Sequence, residues 1–591
     1  MEFSILAELY QKLENTSSGN ELREILAKFF KETHLNYPKE FPTITLLSLG
    51  KIAADYENSV LGIAEKLLLK AIAKASNIGN KEIISLMNKL GDVGKVAESV
   101  LKTKAMTLVP IGTLTTDELY KTLHKIKDIS GSKSQDTKEK ILISLFQKTT
   151  GIEAKYLARI ILQNMRLGVA DMTILDALSI CFTGDKSNKK VLEAAYNICP
   201  DISIISKQLA EKGIEHIQEI PIQVGRPIRV MLAQRTSTIQ EIKEKLANPE
   251  SPLIQAEAKY DGERVQVHKQ RDGKITLFSR RMEDITLQFP DLIEYLQKEI
   301  NVIATDYIIE GEIMALTEDA KSHANFQTLM QRKRKTEIEK YIKKVPVCLY
   351  TFDLLYLNGK SLINQSLNKR GEELDKILYK KNRIKRIEYI QTDSVKDLEL
   401  FFQQMLKDGN EGMIAKSTAE DSFYKAGARD WNWVKWKKDY MQDLVDSFDL
   451  VVIGAFYGKG KRTGNFGSLL CATYNPDSDC FESVTKLGTG LTDKMLEEIP
   501  FLLREHKVEK KTARVIVNKE MTPDIWFEPY LVVEVIAAEI SSGKMHCAAK
   551  SEDSDRGLAL RFPRFIQIRA DKSPEDATTS FELLEMFEGS N

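Results

Sequence analysis

The apolar and polar positions change period twice along this chain. Up to about residue 215 they keep helical spacing: Leu6, Leu9, Tyr10 and Leu13 recur at three and four. Asn15-Thr16-Ser17-Ser18-Gly19-Asn20 breaks that run, and further helices are predicted at Glu57 to Lys74, Lys138 to Thr149 and Leu157 to Ile180. The last contains Asn164 to Asp171, where Arg166-Leu167-Gly168 reads as a helix end capped by glycine. Near Ile220-Pro221 the pattern shifts, and Gly225-Arg226-Pro227 reads as a linker. From there to about Lys438, period-two runs alternate with helices at Ser237 to Leu246, Phe289 to Glu299 and Asp397 to Leu406. After Asp439, short strands (450–454, 468–473, 530–535) lie between Gly-rich loops, which suggests a small barrel, with a helix at Ser580 to Phe587. The pattern predicts a multidomain α+β chain: an all-helical part at 1–215, a strand-rich part at 216–438, and a barrel with a C-terminal helix at 439–591.

Within the strand-rich part, Gln255, Glu257 and Lys259 share one face of a strand, with Ile254, Ala256, Ala258 and Tyr260 on the other. Asp261-Gly262 is a turn signal, and Arg264 returns on the next alternating run. A lysine thus stands at a strand end, two residues after an acid and five before an arginine. Alone, this is also the pattern of a β-meander with a solvated lysine.

Composition narrows the class. The 591 residues are long enough for several cores, and 42% apolar with 29% charged is ordinary for a globular protein. Lys+Arg and Asp+Glu both number 85, so any polyanion must be met by local basic surfaces. The six cysteines contain no Cys-x-x-Cys pair and the seven histidines show no ligand spacing, which excludes a zinc ribbon and fits a reducing compartment. No apolar run approaches the roughly 18 residues of a membrane span, and Met1-Glu2-Phe3-Ser4 has no signal-like character. An intracellular protein without membrane attachment is expected. No Gly-x-x-x-x-Gly-Lys-Ser/Thr loop occurs, which argues against a motor ATPase.

Further constellations follow in order. Glu310 and Glu312 sit on one strand face about 7 Å apart, a costly pair unless a cation or donors meet them; an edge strand with one wet face is the bland alternative. Tyr350 to Leu357 is an apolar strand whose Phe352 alone reads as core. Glu411 and Lys416 fall on opposite faces of another, and Trp433 to Lys438 puts Lys435 and Lys437 on one side and Val434 and Trp436 on the other.

Together, Lys259 to Arg264, Phe278 to Arg280, Ile309 to Ala315, Leu349 to Leu354, Glu411 to Lys416 and Trp433 to Lys438 resemble the successive motifs of the covalent nucleotidyltransferases. The helical part before them, Phe456 to Arg462, Lys486 to Gly490, Lys435 to Tyr440 and Arg556 to Phe565 are similar to the replicative ATP-dependent DNA ligases of archaea and eukaryotes. Capping enzymes lack the helical domain, and bacterial NAD-dependent ligases carry zinc-binding cysteines. An RNA ligase or guanylyltransferase is the alternative within the superfamily, and a non-catalytic scaffold the alternative outside it.

The resemblance implies an all-helical DNA-binding domain (1–215), an antiparallel-sheet adenylation domain (216–438) and an OB-fold domain (439–591). It implies sealing of 5′-phosphate/3′-hydroxyl nicks in replication, repair and recombination, with ATP and Mg²⁺ or another divalent ion, through a lysyl-AMP and a DNA-adenylate. By analogy Lys259 is the nucleophile, Glu257 meets adenine, Arg264 the ribose and phosphate, and Arg280 the AMP phosphate or the nick 5′-phosphate. Phe352 stacks on adenine, Glu312 holds ribose or metal, and Glu411 holds the metal. Lys435, Lys437 and Arg429 grip phosphate, and Arg561 and Arg564 orient pyrophosphate. Nearby cations (Arg264, Arg280, Lys435, Lys437) and Mg²⁺ are expected to favour the neutral, nucleophilic amine. The implied partners are nicked duplex DNA and a sliding clamp. Lys102 to Val109 lies where a clamp motif belongs but has no aromatic pair. A monomer is expected, in the cytoplasm or nucleoid of an archaeon or the nucleus of a eukaryote.

Overall fold

The computed structural model describes residues 1–591 except 17, 58–59, 103–111, 132, 237, 321, 325, 333–337, 379–381, 438–445, 459–465, 551–554 and 590–591. The clamp candidate Lys102 to Val109, Lys438, and Lys459 to Arg462 thus fall wholly or largely outside the described residues.

Among the described residues twelve α-helices span Phe3 to Lys212 around one apolar core, in which Phe3, Tyr10, Phe30, Phe41, Phe146 and Tyr156 are fully buried. Side-chain caps start several of them: Ser18 accepts from Glu21 N, Thr115 from Glu118 N, and Asp201 from Ser203 and Ile204 N. The helix expected from Glu57 begins only at Glu65, after the left-handed Gly62 and the extended Ala64. The stretch expected to run from Leu157 to Ile180 is two helices, Gly151–Ile161 and Asp171–Thr183. Gly168 caps neither. Arg166 (φ 55) and Gly168 (φ 66) are left-handed positions in the loop between them, and Arg166 is tied to Asp92 at 2.9 Å.

Two sheets follow. The first has the order β1 (Leu232–Arg235), β11 (Arg429–Lys437), β10 (Gly412–Ser417), β2 (Ile254–Lys259), β9 (Tyr389–Thr392). The second has the order β4 (Ile275–Ser279), β3 (Glu263–Lys269), β5 (Tyr307–Ala315), β6 (Val347–Leu357), β7 (Lys360–Ser361), with β8 (Ile384–Arg386) also on β6. Antiparallel pairs dominate, but β1 with β11 and β6 with β8 run parallel, so both sheets are mixed. Alternation gives the second sheet two apolar faces. Ile308, Cys348, Phe352 and Leu355 pack with Ala256 and Ala258 of the first sheet, while Ile309, Leu349 and Leu354 pack under Leu292 and Leu296 of helix Pro290–Glu299. β5 is interior, between β3 and β6, so the edge-strand alternative for Glu310 and Glu312 fails.

The last part is a strongly curled half-barrel. β12 (Asp446–Tyr457) pairs along one edge with β13 (Phe466–Asn475), which continues to β14 (Cys480–Leu487) and β16 (Val515–Ile516). Its other edge is shared by β18 (Val532–Ala537) and β17 (Ile525–Phe527), which lead to β21 (Arg564–Ile568) and β15 (Lys507–Val508). β19 (Glu539–Gly543) and β20 (Gly557–Arg561) form a separate ribbon. The changeover falls at an irregularity beside Gly454, where a Cβ would stand 2.6 Å from Pro523 Cγ. Helix Ser580–Gly589 buries Leu583 in the half-barrel core.

Hydrogen bonds and ion pairs join the parts. Arg23 binds Asp176 at 2.6 Å and donates to Ser478 O at 3.0 Å, and Thr173 donates to Asp479 at 3.0 Å. Arg280 binds Asp576 at 2.9 Å and Arg429 binds Glu582 at 2.5 Å. These last two contacts close the half-barrel over the space between the two sheets.

Candidate active site

β2 ends at Lys259 because Asp261-Gly262 turns the chain into β3, and the register then sets Arg264 of β3 opposite Glu312 of β5. β10 lies beside β2 with Gly412 opposite Lys259 and Ile414 opposite Glu257. β11 lies beside β10 with Lys437 opposite Gly412. The result is a cleft of about 870 Å³. Lys259, Glu257, Arg264, Arg280, Glu312, Phe352, Glu411, Arg429, Lys435 and Lys437 all line it.

At the inner end Glu257 is buried and paired with Lys416 at 2.6 Å. Lys416 Nζ stands 4.8 Å from the Phe352 ring centre and 4.3 Å from that of Trp433. Arg264 stacks on the same rings at 5.2 and 5.4 Å. Its guanidinium is anchored to Glu310 at 2.7 Å and to Met231 O at 2.8 Å. Glu310 also accepts from Gln266 and Tyr424, both at 2.9 Å. Glu310 is therefore a buried brace for Arg264, whereas Glu312 faces the cleft. The inner end is a slot with aromatic and apolar walls and one buried donor–acceptor couple, suited to a heterocyclic base.

Lys259 forms an ion pair with Glu411, whose same oxygen meets Lys437 at 3.0 Å. Burial raises the Glu411 pKa, but the two lysines outweigh it and hold the carboxyl well below its ordinary range. Burial pushes Glu312 up to about 8 against the opposing pull of Lys259 and Arg264, so its carboxyl is protonated at neutral pH. Asp261 is also raised, by burial and then by Glu411. Burial drives Lys435 well below its ordinary value, with Glu582 opposing. Glu411 and Lys416 both line the cleft instead of facing opposite ways. Gly412 between them has φ 149, and a Cβ there would meet Trp436 O at 2.2 Å, so the strand begins with a twist that alternation does not carry across.

Sequence reasoning missed the half-barrel's share of the site. Arg561 and Arg564 are exposed and away from the cleft, while Arg569, Asp571 and Lys572 line it. Arg569 binds Asp571 at 2.7 Å and Asp449 at 3.2 Å, and Asp449 also pairs with Lys572. Burial lowers Lys572 to about 8, with Asp449 opposing. The signal lay in the charged run Arg569-Ala570-Asp571-Lys572, directly after the last strand. Asp576 and Glu582 also line the cleft, holding Arg280 and Arg429.

A base-sized slot, a lysine amine at the middle and nine further lysine and arginine side chains around one space suit attack on a nucleotide phosphate. Comparison with known proteins agrees over the whole chain. Residues 230–437 match the family model described as ATP dependent DNA ligase domain, residues 2–179 DNA ligase N terminus, and residues 462–572 ATP dependent DNA ligase C terminal region. DNA ligase 2 of Thermofilum pendens is 42% identical, over 99% of this chain and 97% of that protein. DNA ligase 1 of Methanosarcina acetivorans is 41% identical over 100% of both. The DNA ligase of Saccharolobus solfataricus is 41% identical over 99% and 97%. With the lysine, its cleft and all three parts accounted for, the chain belongs to the ATP-dependent DNA ligases.

Proposed function

We propose that Lys259 Nζ attacks the α-phosphorus of ATP, forming a P–N bond as pyrophosphate leaves. The adenylyl group then passes to the 5′-phosphate of a nick, releasing the amine, and the 3′-hydroxyl displaces AMP to close the strand. The observation that carries this reading is the position of Lys259, which lines the same cleft as a base slot (Glu257, Phe352, Trp433) and a set of phosphate-binding cations (Arg280, Arg429, Lys435, Lys437).

We assign the other roles from the family resemblance, supported by the position of each residue in the cleft. Glu257 meets adenine, Phe352 stacks on it, and Arg264, braced by Glu310, supports the ribose side. Lys435 and Lys437 take the α-phosphate, and Arg280 the AMP or nick phosphate. Arg569 and Lys572, from the half-barrel, take the pyrophosphate end in place of Arg561 and Arg564. Glu411 shields the Lys259 ammonium at rest and must let it go before attack, because only the neutral amine is a nucleophile.

Among the described residues no group of three His, Cys, Asp or Glu side chains is assembled for a metal. Glu312 and Glu411 nevertheless fit Mg²⁺, a hard ion that binds through one or two carboxylates and completes its shell with water and substrate phosphate. Held by Glu312 and Glu411, it would supply positive charge to the phosphates, and Glu411 would then serve the ion instead of Lys259.

We further infer three domains, divided near residues 215 and 438, that act as a monomer on nicked duplex DNA inside the cell in replication and repair. The separate apolar cores support that division. A sliding clamp is the expected protein partner. Among the described residues no helix is long and apolar enough to cross a membrane. Incubation with α-labelled ATP, GTP and NAD, followed by a chase with nicked DNA or nicked RNA, tests the assignment. Label from ATP alone, discharged by nicked DNA, supports it. Label from GTP alone points to a capping-type guanylyltransferase and sinks it.

A further inference from the structure

The buried Glu257 carboxylate is held from two sides. Its Oε1 accepts from Gln255 Nε2 at 2.7 Å, and its Oε2 pairs with Lys416 Nζ at 2.6 Å. Gln255 is itself buried, and its Oε1 accepts from Gln391 Nε2 at 3.0 Å. Gln391 Nε2 donates in addition to Asn368 Oδ1 at 3.0 Å. Gln391 and Asn368 are exposed, and neither they nor Gln255 line the cleft. A line of amides therefore runs from the surface, through β9 and β2, to the carboxylate in the base slot.

The line has a direction. Because Gln391 donates to the Gln255 carbonyl, Gln255 presents its NH₂ to Glu257. Turned over, it would set its carbonyl against a carboxylate, acceptor against acceptor, and its NH₂ against another donor. Glu257 is thus fixed as an acceptor at one place on the wall, beside the Lys416 donor.

That fixity bears on which purine fits. Adenine presents a 6-amino donor next to the N1 acceptor, whereas guanine presents an O6 acceptor next to an N1–H donor. An acceptor beside a donor can be satisfied by either purine if the carboxylate is free to swing. It selects between them only when the carboxylate cannot move, since the wrong base then leaves a buried charge and a buried polar edge unmatched.

We propose that Gln255, oriented by Gln391, is a positioning residue that sets the preference for adenine by holding Glu257 as the acceptor for the 6-amino group. This rests on the placement of adenine against Glu257 and deepens it.

The test measures nucleotidyl transfer to the full-length protein from ATP, from GTP and from purine riboside triphosphate, which is ATP without the 6-amino group. The wild type is expected to prefer ATP over the purine analogue by roughly 10- to 100-fold in kcat/KM, mainly through KM, as for a hydrogen bond to a charged group. In Gln255→Leu that preference falls to about threefold or less and GTP gains relative to ATP, while kcat with ATP changes little. Gln391→Leu, at an exposed position, gives an intermediate loss of preference. If folded Gln255→Leu keeps the wild-type preference, even at a lower overall rate, the proposal is overturned. If Gln255→Leu does not fold, an unchanged preference in Gln391→Leu overturns it instead. A wild type indifferent to the missing amino group contradicts the adenine placement itself, a separate failure.

Discussion

Glu582, on the C-terminal helix, binds Arg429 at 2.5 Å, and the helix thereby closes over the phosphate end of the cleft. Asp576 does the same to Arg280 at 2.9 Å, and burial of Asp576 is outweighed by Arg280, which holds its carboxyl well below the ordinary range. On the roles proposed above, these two carboxylates occupy two cations assigned to phosphate, and we infer that the half-barrel moves off this position when DNA enters.

Neutralising those carboxylates should favour that movement. Asp576→Asn and Glu582→Gln are expected to lower the KM for nicked DNA by about five- to tenfold each, the low end of the ordinary range for a conformational coupling. The gain should shrink with added salt, which screens the ion pairs. Steady-state sealing at two ionic strengths measures it. An unchanged or higher KM at low salt would show that the pairs do not compete with DNA.

Glu312 gives a pH prediction. Its carboxyl titrates at about 8 in the free protein, against an ordinary value of 4.5, because it is buried. Between those values the folded free protein holds a proton that the charged form lacks. Binding a cation or a ribose hydroxyl favours the charged form, so uptake of ATP with Mg²⁺ should release close to one proton near pH 7. The release should fade above pH 8, where the group is already ionised. Calorimetry in buffers of different ionisation enthalpy reads this directly, and Glu312→Gln should abolish it. Release that persists unchanged in Glu312→Gln would assign the proton elsewhere.

Gly412 gives a stability prediction. Its φ of 149 and the 2.2 Å approach of a Cβ to Trp436 O leave no room for a side chain. Gly412→Ala should cost about 2–4 kcal/mol, from backbone strain and overpacking together. Because the residue sets Glu411 beside Lys259, adenylylation should also fall by more than stability explains. A denaturation curve and a single-turnover adenylylation on the same sample separate the two effects. A fully stable, fully active variant would show that the twist is not needed.

Arg569 and Lys572 should matter for the first chemical step. Arg569→Ala and Lys572→Ala are expected to slow formation of lysyl-AMP by about 100-fold or more, the scale of losing a charged donor to a transferring phosphoryl group. Arg561→Ala and Arg564→Ala, outside the cleft, should leave that step within about threefold. Reversal of this order would restore the two arginines to the pyrophosphate site.

Much of the site was legible in the sequence because a strand fixes a side chain's face from its neighbours alone. Gln255 to Arg264 reads correctly for that reason, as do Lys435 and Lys437. Alternation failed at Gly412, where a left-handed glycine brought Glu411 round to the face of Lys416. It also did not separate Glu310 from Glu312, which share a face of β5, because what divides them is Arg264 reaching across from β3 to cover Glu310 and leaving Glu312 on the cleft. Helical periodicity located the first domain but ran through the left-handed loop at Arg166 and Gly168. Arg569 to Lys572 was passed over because the cleft's far wall is built by a domain closing from elsewhere in the chain, and local pattern carries no trace of that approach.

The central claim is that the Lys259 amine bonds to the α-phosphorus of ATP. Intact-mass measurement after incubation with ATP and Mg²⁺, followed by peptide mapping under conditions that preserve a phosphoramidate, tests it most directly. One adenylyl group on the peptide containing Lys259, absent in Lys259→Ala and lost on adding nicked DNA, is the predicted result. An adenylyl group mapped to another residue, or nick sealing by Lys259→Ala at the wild-type rate, would contradict the account.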